Sequence, residues 1–570
     1  MKKTLIQILI LLIAIPSFAQ KKQESLLKRE VTLYNPYKPS LPDVVKKGYL
    51  PDMTDTAKVR PDFKYDIKTN PFMPSYNISP IKPATLIPDP LSKLYNSYIK
   101  FGLGNYVTPL AEISISSKRS KNGAIGVYAR HFSTNGKVEL QNLKKAFAGY
   151  MDNDASVYGR RILPKSVFES SVDFNQKTRY AYGYDTAFTD YEPGKKDIRL
   201  SYFNAGANIR LVSTKLDSSE FAYDFNLAYK FFHSAPHFYQ NSIELKGLMA
   251  KSFNGFYIGS GLEYDYYKPS NSASVNSRYI FALSPFIKKS SAEWNVRLGA
   301  LLVADKGPNG ETKLHVFPDL NFSFSIVPDY ISFFAGLTGR LEKNEPLNII
   351  GINPFVENNR LYNIPNTDYS LIVQAGLTGE TGIEGRYKLS ASYSLVNDML
   401  FFTNSILMDG PVALQKGNYF TPLVDQAEIF NIHGDMGGKI SDKLTFDAGL
   451  NYYRYTLSDY DYAWNKPDWD ATVGLKYNLR DKIIADLEVN ALGMRRELVT
   501  TSFVNTDLIS VSQKIDIPWN INFSLGAEYR YTKVLSLWLK FNNMTFNRYY
   551  EWAYYPSLRF MCMVGFTYSL

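Results

Sequence analysis

A single cysteine, Cys562, stands in 570 residues, and none stands at the end of the N-terminal apolar run, which excludes the lipid attachment that tethers a lipoprotein. Beyond that run the chain has no stretch of roughly eighteen apolar residues, so a bundle of membrane-crossing helices is excluded. Histidine is scarce, with five in all: His131, His233, His237, His315 and His433. His233 and His237 flank a turn containing Pro236, where their spacing does not form a helical metal pair. No grouping of serine, histidine and carboxylate is legible, so the sequence offers no catalytic residue, metal or cofactor. The formal charge of +10 is spread without a dense basic cluster. That argues against a nucleic-acid partner and for anionic lipid or glycolipid neighbours.

What is present begins with Lys2 and Lys3, an apolar run from Leu5 to Ile15, and Pro16, Ser17, Phe18 and Ala19. This reads as a secretory signal peptide, 1–19, cut before Gln20. Residues 20–94 are polar and carry prolines at 36, 39, 42, 51, 61, 71, 74, 80, 83, 88 and 90. Proline fixes its own backbone angle and lacks an amide donor, so this stretch is expected to be an extended arm with no core. Its regularly placed rings, among them Tyr34, Tyr49, Phe63 and Tyr76, suit docking in the periplasm or in a barrel lumen. A plain tether is the simpler alternative.

From residue 95 the texture changes to long alternating runs, the period of a strand. Phe221, Tyr223, Phe225, Leu227, Tyr229 and Phe231 face one way, and Ala222, Asp224, Asn226, Ala228 and Lys230 the other. Alternation alone fits a soluble sandwich or a transmembrane barrel. Three features select the barrel. The runs are long, whereas sandwich strands average about five or six residues. Tight connections, such as Asn254-Gly255, Pro328-Asp329 and Arg480-Asp481, alternate with long polar ones, such as 134–153, 185–197, 344–367, 404–417, 458–467 and 497–516. The last strand carries Phe560, Cys562, Val564, Phe566, Tyr568 and Leu570 on one apolar face.

The expected fold is therefore all-β: a transmembrane antiparallel up-and-down barrel over 95–570, of about 22 strands (range about 20 to 22). An even count places both termini on the periplasmic side of an outer membrane, with the long loops outside. Phe566, Tyr568 and Leu570 are the expected signal for the barrel-assembly machinery.

Two aromatic groups stand out in the connections. The stretch from Asp459 to Asp470, with Asp459, Asp461, Trp464, Asp468, Trp469 and Asp470, sets carboxylates beside rings, as a calcium or sugar site does. An aromatic girdle with solvated acids above it is the weightier alternative. Trp538, Tyr549, Tyr550, Trp552, Tyr554 and Tyr555 read as girdle rings in the same way. His131 and His433 fall on strands and are expected to face the lumen.

Asn542-Asn543, Asn547-Arg548-Tyr549-Tyr550, Tyr555-Pro556, Arg559 and Gly565-Phe566-Thr567-Tyr568-Ser569-Leu570 resemble the closing strands of TonB-dependent receptors. The resemblance implies a 22-strand barrel. It also implies a globular plug before the barrel, and 20–94 is too short and too proline-rich to be one. Glu30-Val31-Thr32-Leu33 is only a loose candidate for the segment that engages TonB. A barrel without its plug needs its lumen filled by the arm, by inward loops such as 344–367, or by a partner. The expectation is a non-enzymatic docking subunit of a larger outer-membrane assembly, joined to other outer-membrane or surface lipoprotein subunits. The alternative is a stand-alone or TonB-coupled channel or receptor for nutrients, and the third class is an enzyme at the barrel mouth.

Overall fold

A computed structural model describes residues 96–570 apart from 118–119, 184–193, 215–220, 236–237, 271–275, 383, 410–411, 414–418 and 504–509. The signal peptide, the proline-rich arm, Glu30 to Leu33 and His237 lie outside the described residues.

Twenty-two strands form one closed antiparallel barrel. They are β1 Ser97–Gly104, β2 Thr108–Ser116, β3 Gly123–Thr134, β4 Tyr150–Ile162, β5 Ser166–Tyr180, β6 Arg199–Ser213, β7 Ala222–Ser234 and β8 Phe238–Phe253. Next come β9 Phe256–Ser270, β10 Arg278–Ser290, β11 Trp294–Lys306, β12 Thr312–Val327, β13 Ile331–Glu342, β14 Thr367–Thr381, β15 Gly385–Asp409 and β16 Tyr419–Ser441. The last six are β17 Leu444–Leu457, β18 Trp469–Leu479, β19 Ile483–Leu492, β20 Asn520–Arg530, β21 Leu535–Asn542 and β22 Met561–Ser569. Closure is made by β1 and β22, with Phe101 opposite Phe566 and Ile99 opposite Tyr568. Among the described residues this ring of 22 strands leaves no edge unpaired, as a barrel in lipid requires.

The alternation in the sequence sets the two faces. Ile99, Phe101, Leu103, Val564, Phe566 and Tyr568 point outward and stay exposed. Neighbours of opposite parity point inward, where Lys100 lies over the Trp538 ring. Trp538 lies across the closure seam, in the space that side chains at Gly102 and Gly565 would fill. On the outward face an aromatic ladder crosses strands: Phe174 meets Phe203, Phe203 meets Phe231, and Phe231 meets Tyr239 at centroid distances of 5.2, 6.1 and 6.2 Å. The row is apolar apart from its end residue, Tyr239, whose hydroxyl gives it the polar tip that a ring at the headgroup boundary carries.

The connections alternate as expected. One end has short turns, such as 254–255, 291–293, 328–330 and 480–482. At Asn254-Gly255 both residues have positive φ, +49° and +77°, which makes the two-residue turn that matches the twist of a hairpin. The other end has long connections, 135–149, 181–198, 343–366, 458–468, 493–519 and 543–560. β15 and β16 run 25 and 23 residues and extend toward this end, with a register shift between Val396 and Met399. A hairpin within 493–519, Arg495–Phe503 with Ser510–Ile517, adds to the extended part of β15, Asn404 pairing in parallel with Val499.

One face assignment is corrected. His131 shares parity with the exposed Ile125 and Val127 and lies on the outward face, bonded to Asn153 at 2.6 Å. Phe132, its neighbour, is the residue that turns inward, against Leu110 and Met561. His433 does face the lumen, opposite in parity to the exposed Ile432 and bonded to Asn451 and Asp435.

Candidate functional site at the long-loop end

The connection 343–366 leaves β13 and does not stay above its own strands. Its foot is fastened to the arc from β8 to β11. Lys343 pairs with Asp265 at 3.0 Å, and Gln240 donates to Glu345 at 3.1 Å. Arg278 donates to the Ile364 carbonyl at 2.8 Å, and Asn366 to Asp305 at 2.9 Å. Farther along, Asn358 exchanges hydrogen bonds with Ser234 and Ala235 at β7, and Tyr202 of β6 donates to the Pro354 carbonyl at 2.5 Å. The same segment then pairs with β16: the Phe420 amide donates to the Phe355 carbonyl, and the Glu357 amide to the Phe420 carbonyl, both at 3.0 Å. β6 and β16 are about ten strands apart in a ring of 22, so the segment spans the mouth.

Its sequence allows this because Pro346–Ile352 folds as a short helix whose Ile349 and Ile350 are buried, and Phe355, Val356, Leu361 and Ile364 follow on the same buried side. These side chains share one core with Tyr180, Ile198, Tyr202, Phe232, Phe238, Phe402 and Phe420 from the walls, and with Trp552 and Tyr555 from 543–560. Tyr555 stacks on Phe355 at 4.0 Å between centroids, and Trp552 meets Phe420 edge-on at 5.0 Å. Each large side chain buried in this way contributes about 2 kcal/mol, so the cap is a folded unit rather than a set of solvated loops. The hairpin Lys137–Glu139 with Lys145–Phe147 extends it, packing Val138, Leu140 and Ala148 against Leu558.

A second joint links the hairpin 495–517 to 543–560. Arg495 donates to the Glu551 and Tyr550 carbonyls and to Asn465. Glu497, 1% exposed, accepts the Ala553 amide at 2.6 Å, while its other carboxyl oxygen has no partner among the described residues. Burial pushes the Glu497 carboxyl up to about 8, and only partly do the Ala553 amide and the Arg495 charge oppose it. Burial also raises Glu551, against the pull of Arg495 and Arg179.

Beneath the cap the lumen wall is polar and paired in charge. Arg210 meets Asp224 at 2.6 Å, Lys230 meets Glu244 at 3.0 Å, Lys246 meets Glu263 at 3.0 Å and Arg297 meets Asp319 at 2.7 Å. A cavity of about 560 Å³ lies along Arg210, Asp224, Lys230, Glu244 and Lys246. A second, of about 340 Å³, lies against the cap, lined by Tyr150, Arg179, Tyr182, Phe355, Tyr549 and Glu551. The first surface is one that water and solutes wet, and the cap stands between it and the long-loop end.

The residues singled out between 459 and 470 are placed separately. The Asp459 and Tyr460 amides donate to Asp425, and Trp464 is buried among Val396, Met399, Phe401 and Ala427. Asp468 lies 3.7 Å from Arg496, and Asp470 accepts from Asn451 at 3.0 Å on the barrel wall beside Trp469. Asp461 makes no hydrogen bond or ion pair among the described residues. Among the described residues the carboxylates that converge are instead Glu244, Glu263 and Asp265, and Lys230, Lys246 and Lys343 already neutralise them. Trp552 and Tyr555 are corrected from girdle to cap core, and Tyr554 to a separate core with Ile406 and Val499, with exposures of 8, 1 and 7%. Glu497 and Arg495 carried no sequence signal. The density of apolar residues in 346–364 and 552–555 did carry one, since solvated connections rarely hold so many.

No protein-family model matches the sequence, and no curated protein matches it. Solved structures do. The pyoverdine outer membrane receptor FpvA from Pseudomonas aeruginosa superposes with a TM-score of 0.60 at 11% identity, over 84% of this chain and 79% of that one. The siderophore receptor PirA from Acinetobacter baumannii gives 0.63 at 9%, over 84% and 81%. The FrpB iron transporter from Neisseria meningitidis gives 0.62 at 10%, over 84% and 82%. The chain therefore has the 22-strand outer-membrane barrel fold seen in TonB-dependent siderophore and metal receptors.

Proposed function

We propose that the protein is a non-enzymatic uptake barrel of the outer membrane whose mouth is closed by its own connections, 343–366 foremost. The long-loop end faces outward, and Asn96 and Leu570 lie at the periplasmic face. The observation that carries this reading is the apolar cap standing over a charged, wettable lumen. A wide barrel left open would leak, and a scaffold would have no use for a polar conduit beneath a folded cap. Structural likeness to siderophore and metal receptors favours uptake over the docking-subunit expectation.

The test is solute entry into proteoliposomes. Full-length protein should admit small sugars slowly. A variant with 346–364 replaced by a glycine-serine linker should admit them fast. Equal rates would count against an uptake conduit.

A second reading keeps one specific support. Among the described residues Ser510–Ile517 pairs with Arg495–Phe503 and with no other strand, which leaves its second edge open to them at the long-loop end, with Val511 exposed. An open edge accepts an added strand from a partner. A surface lipoprotein subunit seated there would make the barrel part of a larger assembly, and co-purification lost on deleting 504–517 would show it.

A further inference from the structure

In the lumen Arg210, Lys230, Lys246 and Arg297 are paired with carboxylates, whereas three lysines at the short-turn end have no such pairing among the described residues. Lys251, Lys289 and Lys482 each lie over an aromatic ring: Phe221 at 4.9 Å, Phe256 at 4.7 Å and Tyr529 at 5.4 Å. None of the three has a carboxylate partner among the described residues. Lys289 stands directly opposite Phe256 across β9 and β10, and Lys251 opposite Ile258 across β8 and β9. Phe221, Phe256, Ile258 and Tyr529 are exposed on the outward face, so Lys251 and Lys289, in register with Ile258 and Phe256, belong to the lipid-facing rim, and Lys482, in the turn before β19, reaches that face over the Tyr529 ring. Lys482 is held further by donating to the Tyr531 carbonyl at 3.0 Å.

We propose that this rim binds the phosphate headgroups of anionic phospholipids, with Lys251, Lys289 and Lys482 as the phosphate-contacting groups. The ring under each lysine holds its aliphatic stem along the strand and fixes the ammonium at the end of the apolar band. An ammonium resting on a ring keeps donors free on its far side, and at that level the nearest anion is a lipid phosphate. Acyl chains then lie on the exposed Phe221, Phe256 and Ile258. Recognition by charge and apolar contact together selects an anionic lipid over a zwitterionic one.

The experiment is native mass spectrometry of full-length protein released from nanodiscs containing equal phosphatidylglycerol and phosphatidylcholine. The wild type should retain phosphatidylglycerol preferentially. Lys251→Gln, Lys289→Gln and Lys482→Gln together should reduce that preference by about fivefold at each lysine's own position on the rim. The three Lys→Arg changes should preserve it. Lys289→Gln alone serves if the triple variant does not show the heat-modifiable mobility of a folded barrel. Unchanged preference in a folded Gln variant overturns the proposal. So does full displacement of the lipid by millimolar inorganic phosphate, which would make the rim a site for the free anion.

Discussion

Tyr555 stacks on Phe355 with 4.0 Å between ring centroids, and this contact joins two connections that are 200 residues apart in sequence (555 − 355). It is the keystone of the cap, because Phe355 also meets β16 through its carbonyl and Tyr182 through its ring. Truncating Tyr555 to alanine should weaken cap docking by about 3 kcal/mol, the usual cost of removing a buried aromatic. Hydrogen exchange of 343–366 should rise in Tyr555→Ala and in Phe355→Ala. The double variant should fall short of the sum by about 1 kcal/mol if the stack itself contributes.

The joint between 495–517 and 543–560 should depend on pH through Glu497. Its carboxyl is raised to about 8 in the folded joint against an ordinary value of 4.5. An acid raised on folding favours the protonated form, so its contribution is fully present below about 4.5 and is lost as pH rises through 8. Limited proteolysis of the hairpin should therefore accelerate as pH rises from about 4.5 to about 8, the window those two values span. Glu497→Gln should flatten the profile and protect the joint at the alkaline end. A wild-type profile that is already flat would show that Glu497 does not control the joint.

Lys343 is the cation that neutralises Asp265, which is 4% exposed, and it lies 3.5 Å from the buried Glu345. Lys343→Met should leave both carboxylates buried without it and release the foot of 343–366 at a cost of about 3 kcal/mol. Protease cleavage within 343–366 should appear in the variant while the barrel keeps its heat-modifiable mobility. Loss of the barrel itself would place the lysine in the fold rather than in the cap.

The closure seam can be tested through Gly102, where a side chain would meet the Trp538 ring. Gly102→Val should overpack the seam and cost about 2 kcal/mol, read as a lower unfolding midpoint. Trp538→Ala in the same chain should recover part of that loss, because the obstructing ring is gone. No recovery would mean the valine acts through the backbone and not through Trp538.

Much of the barrel was legible because a strand that is half lipid-facing writes its own period. Phe221 to Phe231 alternates in sequence as it does in space, and the short and long connections sort to opposite ends of the barrel. His131 shows the limit of residue type: its parity with Ile125 and Val127 set its face, and its polarity suggested the other one. The cap was not legible because it is a tertiary object. Ile349, Phe355, Phe420 and Tyr555 come from three separate segments with no shared periodicity, and a tyrosine in a connection looks the same whether it lies at a headgroup or in a core. Glu497 was hidden for a related reason, since its burial is created by Ala553 and Tyr554 from another loop.

The central claim is that 343–366 closes the barrel, and single-channel current in a planar bilayer tests it most directly. Full-length protein should show no large steady conductance. The variant with 346–364 replaced by a glycine-serine linker should open to large, stable steps. Large steps in the full-length protein, or a silent linker variant that still shows the mobility of a folded barrel, would contradict it.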